Sequence, residues 1–165
     1  IQELHDLGIK TIMLTGDNPH TARAIAQQAG IDEAKGNMLP EHKQAEIERL
    51  AAQSKVGMVG DGINDTPALA RADIGFAMGA AGADTAIETA DVALMDDDLR
   101  KIPQFIRLSQ ATSRILKQNI ALALGIKAVF LVLTFTSDAT MWMAVFADMG
   151  ASLLVVGNGL RLLKK

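Results

Sequence analysis

The sequence predicts an α/β domain with a parallel sheet, followed by a transmembrane α-helical hairpin. Three observations point to this fold class. In the first part of the 165 residues, short apolar runs alternate with helical patterns, as in parallel sheets covered by helices. After about residue 118, charge almost disappears over two stretches, each close to the ~20 residues that a spanning helix needs. A polar turn, TSDAT, separates these two stretches.

The strands and helices of the α/β part follow from apolar periodicity. Strands are predicted at residues 10–15, 55–59, 74–78 and 92–95. Helices are predicted at residues 19–29, 40–51, 68–72 and 84–89. Asn18 can cap the first of these helices, Pro19 suits its first turn and Gly30 suits its end. The alternation of strand and helix therefore extends through residue 98.

The second part of the chain is predicted to begin with a stalk. The acidic residues 96–98 favour a helix N-terminus, and a helical pattern runs on from Leu99. We expect a stalk at residues 99–117, spanning helices at 118–136 and 140–160, and a tail at 161–165.

Basic residues flank the predicted hairpin on one side only. They are Arg114, Lys117, Arg161, Lys164 and Lys165. The positive-inside rule places such residues in the cytoplasm. We therefore expect a multi-pass segment of the cell membrane, with the α/β part and the C-terminus on the cytoplasmic side.

Composition excludes several classes of function. The net charge of −3 comes without a basic stripe, so no nucleic-acid partner is expected. The absence of cysteine excludes a disulfide, a Cys-based zinc site and a thiol nucleophile from these residues. The first residue is Ile1, and no signal peptide pattern follows it, so we expect the parent protein to extend upstream.

Two polar loops follow directly after predicted strands. They are residues 15–18, TGDN, and residues 60–65, GDGIND. Ligands of open parallel sheets bind beyond the carboxyl ends of the strands, so both loops should lie side by side at one edge. Taken singly, the first loop could be no more than a helix cap and the second no more than a tight turn.

Together with Lys43, the two loops supply what phosphoryl transfer needs, namely a cation, metal-binding carboxylates and close donors. Thr15 can donate its hydroxyl and its N–H to phosphate. Lys43, near the start of its helix, supplies a compact positive charge. Asp61 and Asp65 supply carboxylates, and Gly60 and Gly62 allow close approach of the backbone.

These residues resemble the haloacid dehalogenase-like phosphotransferases, and within them the phosphorylation domain of P-type ATPases. The resemblance is carried by TGDN and by GDGINDTPALARADIGFAMG at residues 60–79. It implies a Rossmann-like parallel sheet, with residues 1–98 as a partial phosphorylation domain, and it implies Mg²⁺ and ATP as cofactors. The implied catalytic residues are Thr15, Gly16, Asp17, Lys43, Asn64 and Asp65. Mg²⁺ would be bound by Asp61 together with Asp65.

The chain departs from this family in one respect that matters for activity. The nucleophile of the family is an Asp in a DKTGT motif, and residues 1–165 contain no such motif. It would lie upstream, together with most of the ATP-binding surface. We therefore expect that these residues alone neither phosphorylate themselves nor hydrolyse ATP.

Two charged residues, Lys127 and Asp148, lie inside the predicted spanning helices. They are equidistant from the turn, so in an antiparallel hairpin both would lie about 14 Å from it, near the middle of a core about 30 Å thick. A buried charge at that depth is costly and is usually functional, and a pair at one depth could neutralise itself. Alternatively, Lys127 extends to the interface, or Asp148 is only its structural partner.

The contexts GIKAVFLVL and FADMGASLLVVGNGLRLL resemble the last two membrane helices of zinc, cadmium and lead exporters in the heavy-metal group of P-type ATPases. The patterns of copper exporters are absent from these helices. The resemblance implies that Asp148 binds the transported cation and that Lys127 is its counter-charge. The Cys-Pro-Cys motif of the group would lie upstream.

The leading hypothesis is the C-terminal part of an ATP-driven exporter of Zn²⁺, Cd²⁺ or Pb²⁺ that works through an aspartyl phosphate. Its expected partners are the transported ion, the lipid bilayer and the upstream part of the same chain. A membrane-anchored phosphatase of the same superfamily is the first alternative, and a non-catalytic module that binds Mg²⁺ and phosphate is the second.

Overall fold

The computed structural model describes residues 1–61, 63–79, 84–135 and 140–164. The chain forms two compact units, Ile1–Pro103 and Gln104–Lys165. The first unit is α/β and the second is helical. The predicted fold class is therefore confirmed.

The first unit alternates strands and helices in chain order. Its elements are α1 (Gln2–Asp6), β1 (Ile12–Leu14), α2 (Pro19–Ala29), β2 (Glu33–Lys35), α3 (Pro40–Ala51), β3 (Gly57–Gly60), a 3₁₀ turn (Ile63–Asp65), α4 (Thr66–Leu69), β4 (Ile74–Met78), α5 (Asp84–Thr89) and β5 (Val92–Leu94). Four of these strands were predicted, and α1 and β2 were not. Strand β2 has the sequence EAK and is half-buried, so it lacks the apolar run by which strands are recognised.

The strands form two parallel sheets, one with the order β1-β2 and one with the order β3-β4-β5. Met13 pairs with Ala34 in the first sheet, and Met58 pairs with Gly75 in the second. A single sheet was expected, and this detail was wrong. Among the described strands, β1 and β3 each pair on one edge only, so no strand joins the two sheets.

Helix α3 packs against the core that both sheets share. Its Ile47 is buried with Met58 of β3 and Ala77 of β4, and Leu14 of β1 packs against the same cluster. One helix thus contacts the strands that precede both polar loops. This packing fixes the loops relative to α3, because a buried apolar residue is held by many close contacts.

The ends of α2 are those that the sequence predicts. The Asn18 side chain accepts a hydrogen bond from the Thr21 N–H at 2.9 Å, and Gly30 ends the helix with a φ of 74°. A left-handed φ favours glycine because it has no Cβ. Helix α4 starts at Thr66 rather than at the predicted residue 68, because Pro67 fits the first turn of a helix.

The second unit consists of the rest of helix α6 (Lys101–Phe135), helix α7 (Met141–Gly159) and a 3₁₀ turn (Leu160–Lys164). Helix α6 runs without a break through the predicted stalk and the first predicted span. The boundary between stalk and span at residue 118 stays a prediction. Most of the predicted turn, residues 136–139, lies outside the described residues.

Two helices are long and apolar enough to cross a membrane. They cover Lys101–Phe135 and Met141–Leu163, with mean hydropathies of 1.8 and 1.5 in their most apolar windows. Almost none of the residues in these windows is buried. A helix that forms the core of a soluble domain would bury such side chains, whereas a lipid-facing helix exposes them. The pattern favours the predicted membrane hairpin.

Candidate functional site

The loop after β1 is ordered by hydrogen bonds of Thr15. Its hydroxyl accepts a hydrogen bond from the Asp17 N–H at 3.2 Å and donates one to the Asp17 carboxylate at 3.0 Å. Thr15 is half-buried, whereas Gly16 and Asp17 are exposed. The loop therefore presents its hydroxyl and carboxylate groups towards solvent, where a phosphate could reach them.

One predicted role of Thr15 was wrong in this structure. Its N–H was expected to donate to phosphate, but it donates to the carbonyl oxygen of Lys35 at 3.0 Å. This bond continues the pairing of β1 with β2 by one residue, so a neighbouring strand satisfies the donor. The hydroxyl remains the Thr15 group that can bind phosphate.

The segment between β2 and α3 is joined to the Thr15 loop. The Asn37 N–H donates to the Asp17 carbonyl at 2.6 Å, and the Met38 N–H donates to the Thr15 carbonyl at 3.0 Å. Asn37 has a φ of 53°, which asparagine tolerates better than most residues. This segment was not among the predicted site residues, because a glycine and an asparagine between two elements suggest an ordinary connection.

The loop after β3 is compact around Asp65. Asp65 is buried, whereas Asp61 and Asn64 are exposed. A Cβ added at Gly60 would lie 2.6 Å from the Cβ of Asp65, closer than real Cβ contacts allow. Glycine is thus required at residue 60 for the loop to fold back onto Asp65. Gly62 lies outside the described residues.

An ion pair links α3 to this loop. The Lys43 Nζ lies 2.8 Å from the Asp65 Oδ1, and the two side chains are 16% and 11% exposed. Since α3 begins two residues after Met38, the helix that carries Lys43 is also tied to the Thr15 loop. The predicted site residues of the two loops are therefore brought together through α3, although direct contacts between the loops are not among the described hydrogen bonds.

The acidic residues fit a partial magnesium site. Among the described residues, no group of three or more His, Asp or Glu is placed to hold a metal ion. Mg²⁺ rarely takes a full set of protein ligands and is usually held by one or two carboxylates, waters and substrate phosphates. Asp61 is exposed, so such an ion can reach it, and it lies four residues before Asp65 in the same loop. Both carboxylates suit this hard cation.

A second charged cluster lies one turn further along α3. The Glu46 carboxylate accepts hydrogen bonds from Arg49 on the same helix and from Lys35 on β2, the latter at 2.9 Å. The Arg49 guanidinium and then the Lys35 ammonium lower the pKa of Glu46 to about 2. Sequence reasoning missed this cluster, since exposed charges on a helix usually face solvent without a partner.

Lys127 and Asp148, the two charged residues of the hairpin, do not form an ion pair with each other in the described part of the chain. Both residues are exposed. Their predicted roles, Asp148 as ligand of the transported cation and Lys127 as its counter-charge, stay predictions.

Polar side chains join α6 and α7 at the end opposite to the turn. The Asn158 amide donates to Asn119 at 2.8 Å and to Gln118 at 3.3 Å, and Arg161 donates to Asn158 at 2.9 Å. These bonds show that the helices run antiparallel. This cluster was not predicted, because single amides at the end of an apolar run suggest only the interface with water.

The same bonds set the register of the hairpin. Asn119 lies eight residues before Lys127, and Asn158 lies ten residues after Asp148. With Asn119 opposite Asn158, a rise of about 1.5 Å per residue puts Lys127 and Asp148 within about 3 Å of the same depth. The two charges are thus near one level without being paired.

Known proteins resemble this chain in sequence and in structure. The model of the haloacid dehalogenase-like hydrolases matches residues 1–73. Over 99% of its length, the chain is 58% identical to a probable cadmium-transporting ATPase of Listeria monocytogenes and 50% identical to a cadmium, zinc and cobalt-transporting ATPase of Bacillus subtilis (strain 168). A crystal structure of a zinc-transporting PIB-type ATPase in the E2.Pi state superposes with a TM-score of 0.93 at 50% identity, over 99% of this chain and 27% of that one.

The fold and the two loops define a haloacid dehalogenase-like α/β domain that is followed by two apolar helices. Along its whole length the chain is then similar to P-type ATPases, which confirms the resemblance predicted from the motifs. The chain spans 23% of the length of the Listeria relative and 24% of the Bacillus relative.

Proposed function

We propose that the chain is the C-terminal part of an ATP-driven exporter of divalent heavy-metal cations, with Zn²⁺, Cd²⁺ and Pb²⁺ as the expected ions. The proposal rests above all on the Lys43–Asp65 ion pair, which joins α3 to the GDGIND loop in a chain that also carries Lys127 and Asp148 in apolar helices. The printed names of the relatives, which include cadmium, zinc and cobalt transport, support this substrate class.

The proposed chemistry is phosphoryl transfer through an aspartyl phosphate. The Lys43 ammonium neutralises charge on the phosphoryl oxygens. The Thr15 hydroxyl, whose hydrogen is donated to Asp17 in this structure, would donate it to a phosphoryl oxygen instead when phosphate binds. Asp61 and Asp65 would hold Mg²⁺, which supplies further positive charge at the phosphate when it is bound. Asn64 orders the loop between these carboxylates. Gly16 and Asp17 complete the loop on the Thr15 side.

The nucleophilic Asp and most of the ATP-binding surface would be supplied by a part of the parent protein that precedes Ile1. The free edges of β1 and β3 support this view, because a parallel strand between them would join the two described sheets into one. The loop after such a strand would end beside Thr15 and Asp61. The chain alone would then be inactive.

The transport site is proposed to include Asp148 as a ligand of the cation. A carboxylate oxygen suits Zn²⁺ and similar ions, and a charge at mid-membrane depth is rarely kept without a function. Lys127, near the same depth, would balance the carboxylate once the cation has left. The α/β part and the C-terminus would be cytoplasmic, since the basic residues lie at that end of the hairpin.

The match of residues 1–73 to hydrolases also favours a membrane-anchored phosphatase as a second candidate. A phosphatase needs an anchor but no charge inside it, so Lys127 and Asp148 count against this candidate. A non-catalytic module that binds Mg²⁺ and phosphate would likewise have no use for the two charges.

The proposed function is tested by trapping the phosphoenzyme. The purified full-length parent should form an acid-stable, hydroxylamine-sensitive phosphoprotein from ATP, with a level that depends on the transported ion. Lys43→Ala should reduce this level at least tenfold, and Asp6→Asn, which removes an exposed carboxylate, should leave it unchanged. Residues 1–165 alone should form none. A parent that hydrolyses phosphate esters without a phosphoenzyme of this kind would contradict the proposal.

A further inference from the structure

We propose that Lys35 and Glu46 are positioning residues that set Lys43 relative to the Thr15 loop. The inference deepens the proposed function and rests on it, since it assigns the two residues a role in binding the phosphoryl group. Neither side chain belongs to a motif that the sequence singles out. Their role follows from the contacts that each makes to the elements of the site.

Lys35 contacts both sides of the site through different atoms. Its carbonyl oxygen accepts a hydrogen bond from the Thr15 N–H at 3.0 Å, and its Nζ donates to the Glu46 Oε1 at 2.9 Å. The Lys35 side chain is 31% exposed and that of Glu46 is 12% exposed. Lys35 of β2 is thus bonded to the backbone of the Thr15 loop and to the Glu46 side chain of α3 at the same time.

Glu46 transmits this contact to Lys43 through the helix. The two residues are three positions apart on α3, so their side chains lie on neighbouring turns of one face. The Glu46 carboxylate fixes this face to β2, and one turn earlier the Lys43 ammonium reaches the Asp65 carboxylate at 2.8 Å. Loss of the Glu46 contact would let α3 rotate or slide, and Lys43 would move with it.

A comparison with Arg49 separates the positioning role of Lys35 from simple neutralisation of the Glu46 charge. Arg49 also donates to the Glu46 carboxylate, but it lies on the same helix and is 51% exposed. It can therefore balance the charge of Glu46 without tying α3 to another element. Lys35 makes the connection from β2, so removal of Lys35 and removal of Arg49 should have different consequences.

The test compares phosphorylation of the full-length parent from inorganic phosphate in the presence of Mg²⁺. Lys35→Gln and Glu46→Gln should raise the phosphate concentration needed for half-maximal phosphoenzyme about five- to tenfold. Arg49→Gln should change it less than twofold, and Lys35→Arg should restore most of the affinity. Equal shifts for Lys35→Gln and Arg49→Gln, or no shift for Lys35→Gln, would overturn the inference.

A second measurement separates positioning from general destabilisation. In a Lys43→Ala background, Glu46→Gln should leave the phosphate dependence unchanged, because its effect acts through Lys43. An additional five- to tenfold loss in that background would overturn the inference. If Glu46→Gln does not fold, Lys35→Gln in the same background answers the question. A wild-type parent that forms no phosphoenzyme would instead contradict the proposed function.

Discussion

At the scale of single residues, the site depends on how closely the GDGIND loop folds back on itself. Gly60 has no room for a side chain, because a Cβ there would lie 2.6 Å from the Cβ of Asp65. Asp65 in turn holds Lys43. A side chain at residue 60 should therefore push Asp65 away, and this should displace the Lys43 ammonium that Asp65 holds.

Gly60→Ala should displace Asp65, lower the free energy of unfolding by about 1–3 kcal/mol and reduce phosphoenzyme formation severalfold. Gly57→Ala on the same strand is the matched control, since its Cβ would meet its nearest neighbour at an ordinary 3.5 Å. Thermal unfolding and phosphorylation of the full-length parent check both variants. Equal behaviour of the two alanine variants would show that the approach at Gly60 does not matter.

The Glu46 cluster predicts a pH dependence of stability. Arg49 and Lys35 lower the pKa of Glu46 from 4.5 to about 2, so the folded state favours the ionised carboxylate. The stabilisation is fully present above about pH 4.5 and is lost as the pH falls towards 2. We expect Glu46→Gln to be less stable than the wild type by about 1–2 kcal/mol at pH 7, and the difference should shrink below pH 4.5.

Denaturation of the parent between pH 7 and pH 3 measures this difference. Glu48→Gln is the control, because Glu48 lies on the same helix but is 49% exposed in its ion pair with Arg71. A difference between Glu46→Gln and the wild type that stays constant down to pH 3 would contradict the assignment.

At the scale of elements, the sequence contained enough information for the strands and helices with clear periodicity. The apolar runs gave β1, β3, β4 and β5, and Asn18, Pro19 and Gly30 marked the ends of α2 correctly. Strand β2 was missed, because a half-buried EAK strand has no apolar alternation. Pairing across the sheets could not be predicted either, since which strands are neighbours depends on contacts remote in sequence.

The contacts between α6 and α7 predict that replacement of Asn158 lowers the stability of the hairpin. Its amide makes the hydrogen bonds from α7 to Gln118 and Asn119 on α6. Bonds of this kind between membrane helices contribute about 0.6 kcal/mol on average and at most about 1.7. Asn158→Leu keeps the number and branching of the side-chain heavy atoms but removes the donor, so it should lower the unfolding temperature of the parent in detergent by a few degrees.

Ser152→Ala provides the control for Asn158→Leu. The Ser152 hydroxyl donates to the Asp148 carbonyl within α7 and does not reach α6. It should leave the unfolding temperature within a degree of the wild type. A larger effect of Ser152→Ala than of Asn158→Leu would contradict the view that Asn158 joins the two helices.

At the scale of the whole molecule, the proposed function combines phosphoryl transfer and cation transport in one protein. The motifs predicted that Thr15, Lys43 and Asp65 come together, and the structure joins them through α3, whereas their role in binding phosphate stays a prediction. They did not predict that Lys35 would take the Thr15 N–H, because backbone pairing of β2 is invisible in the sequence. Equal spacing from the turn predicted that Lys127 and Asp148 lie at one depth, and the register set by Asn119 and Asn158 agrees with this, although the two side chains form no ion pair in the described residues.

The central claim is that the phosphate site drives a cation past Asp148, and it is tested most directly by replacing that carboxylate. The measurement compares metal-stimulated ATP turnover with phosphorylation from inorganic phosphate in the full-length parent carrying Asp148→Ala. We predict that metal-stimulated turnover is lost while phosphorylation from inorganic phosphate persists, because the phosphate site itself is intact. Normal turnover with Zn²⁺ or Cd²⁺ in this variant would contradict the account.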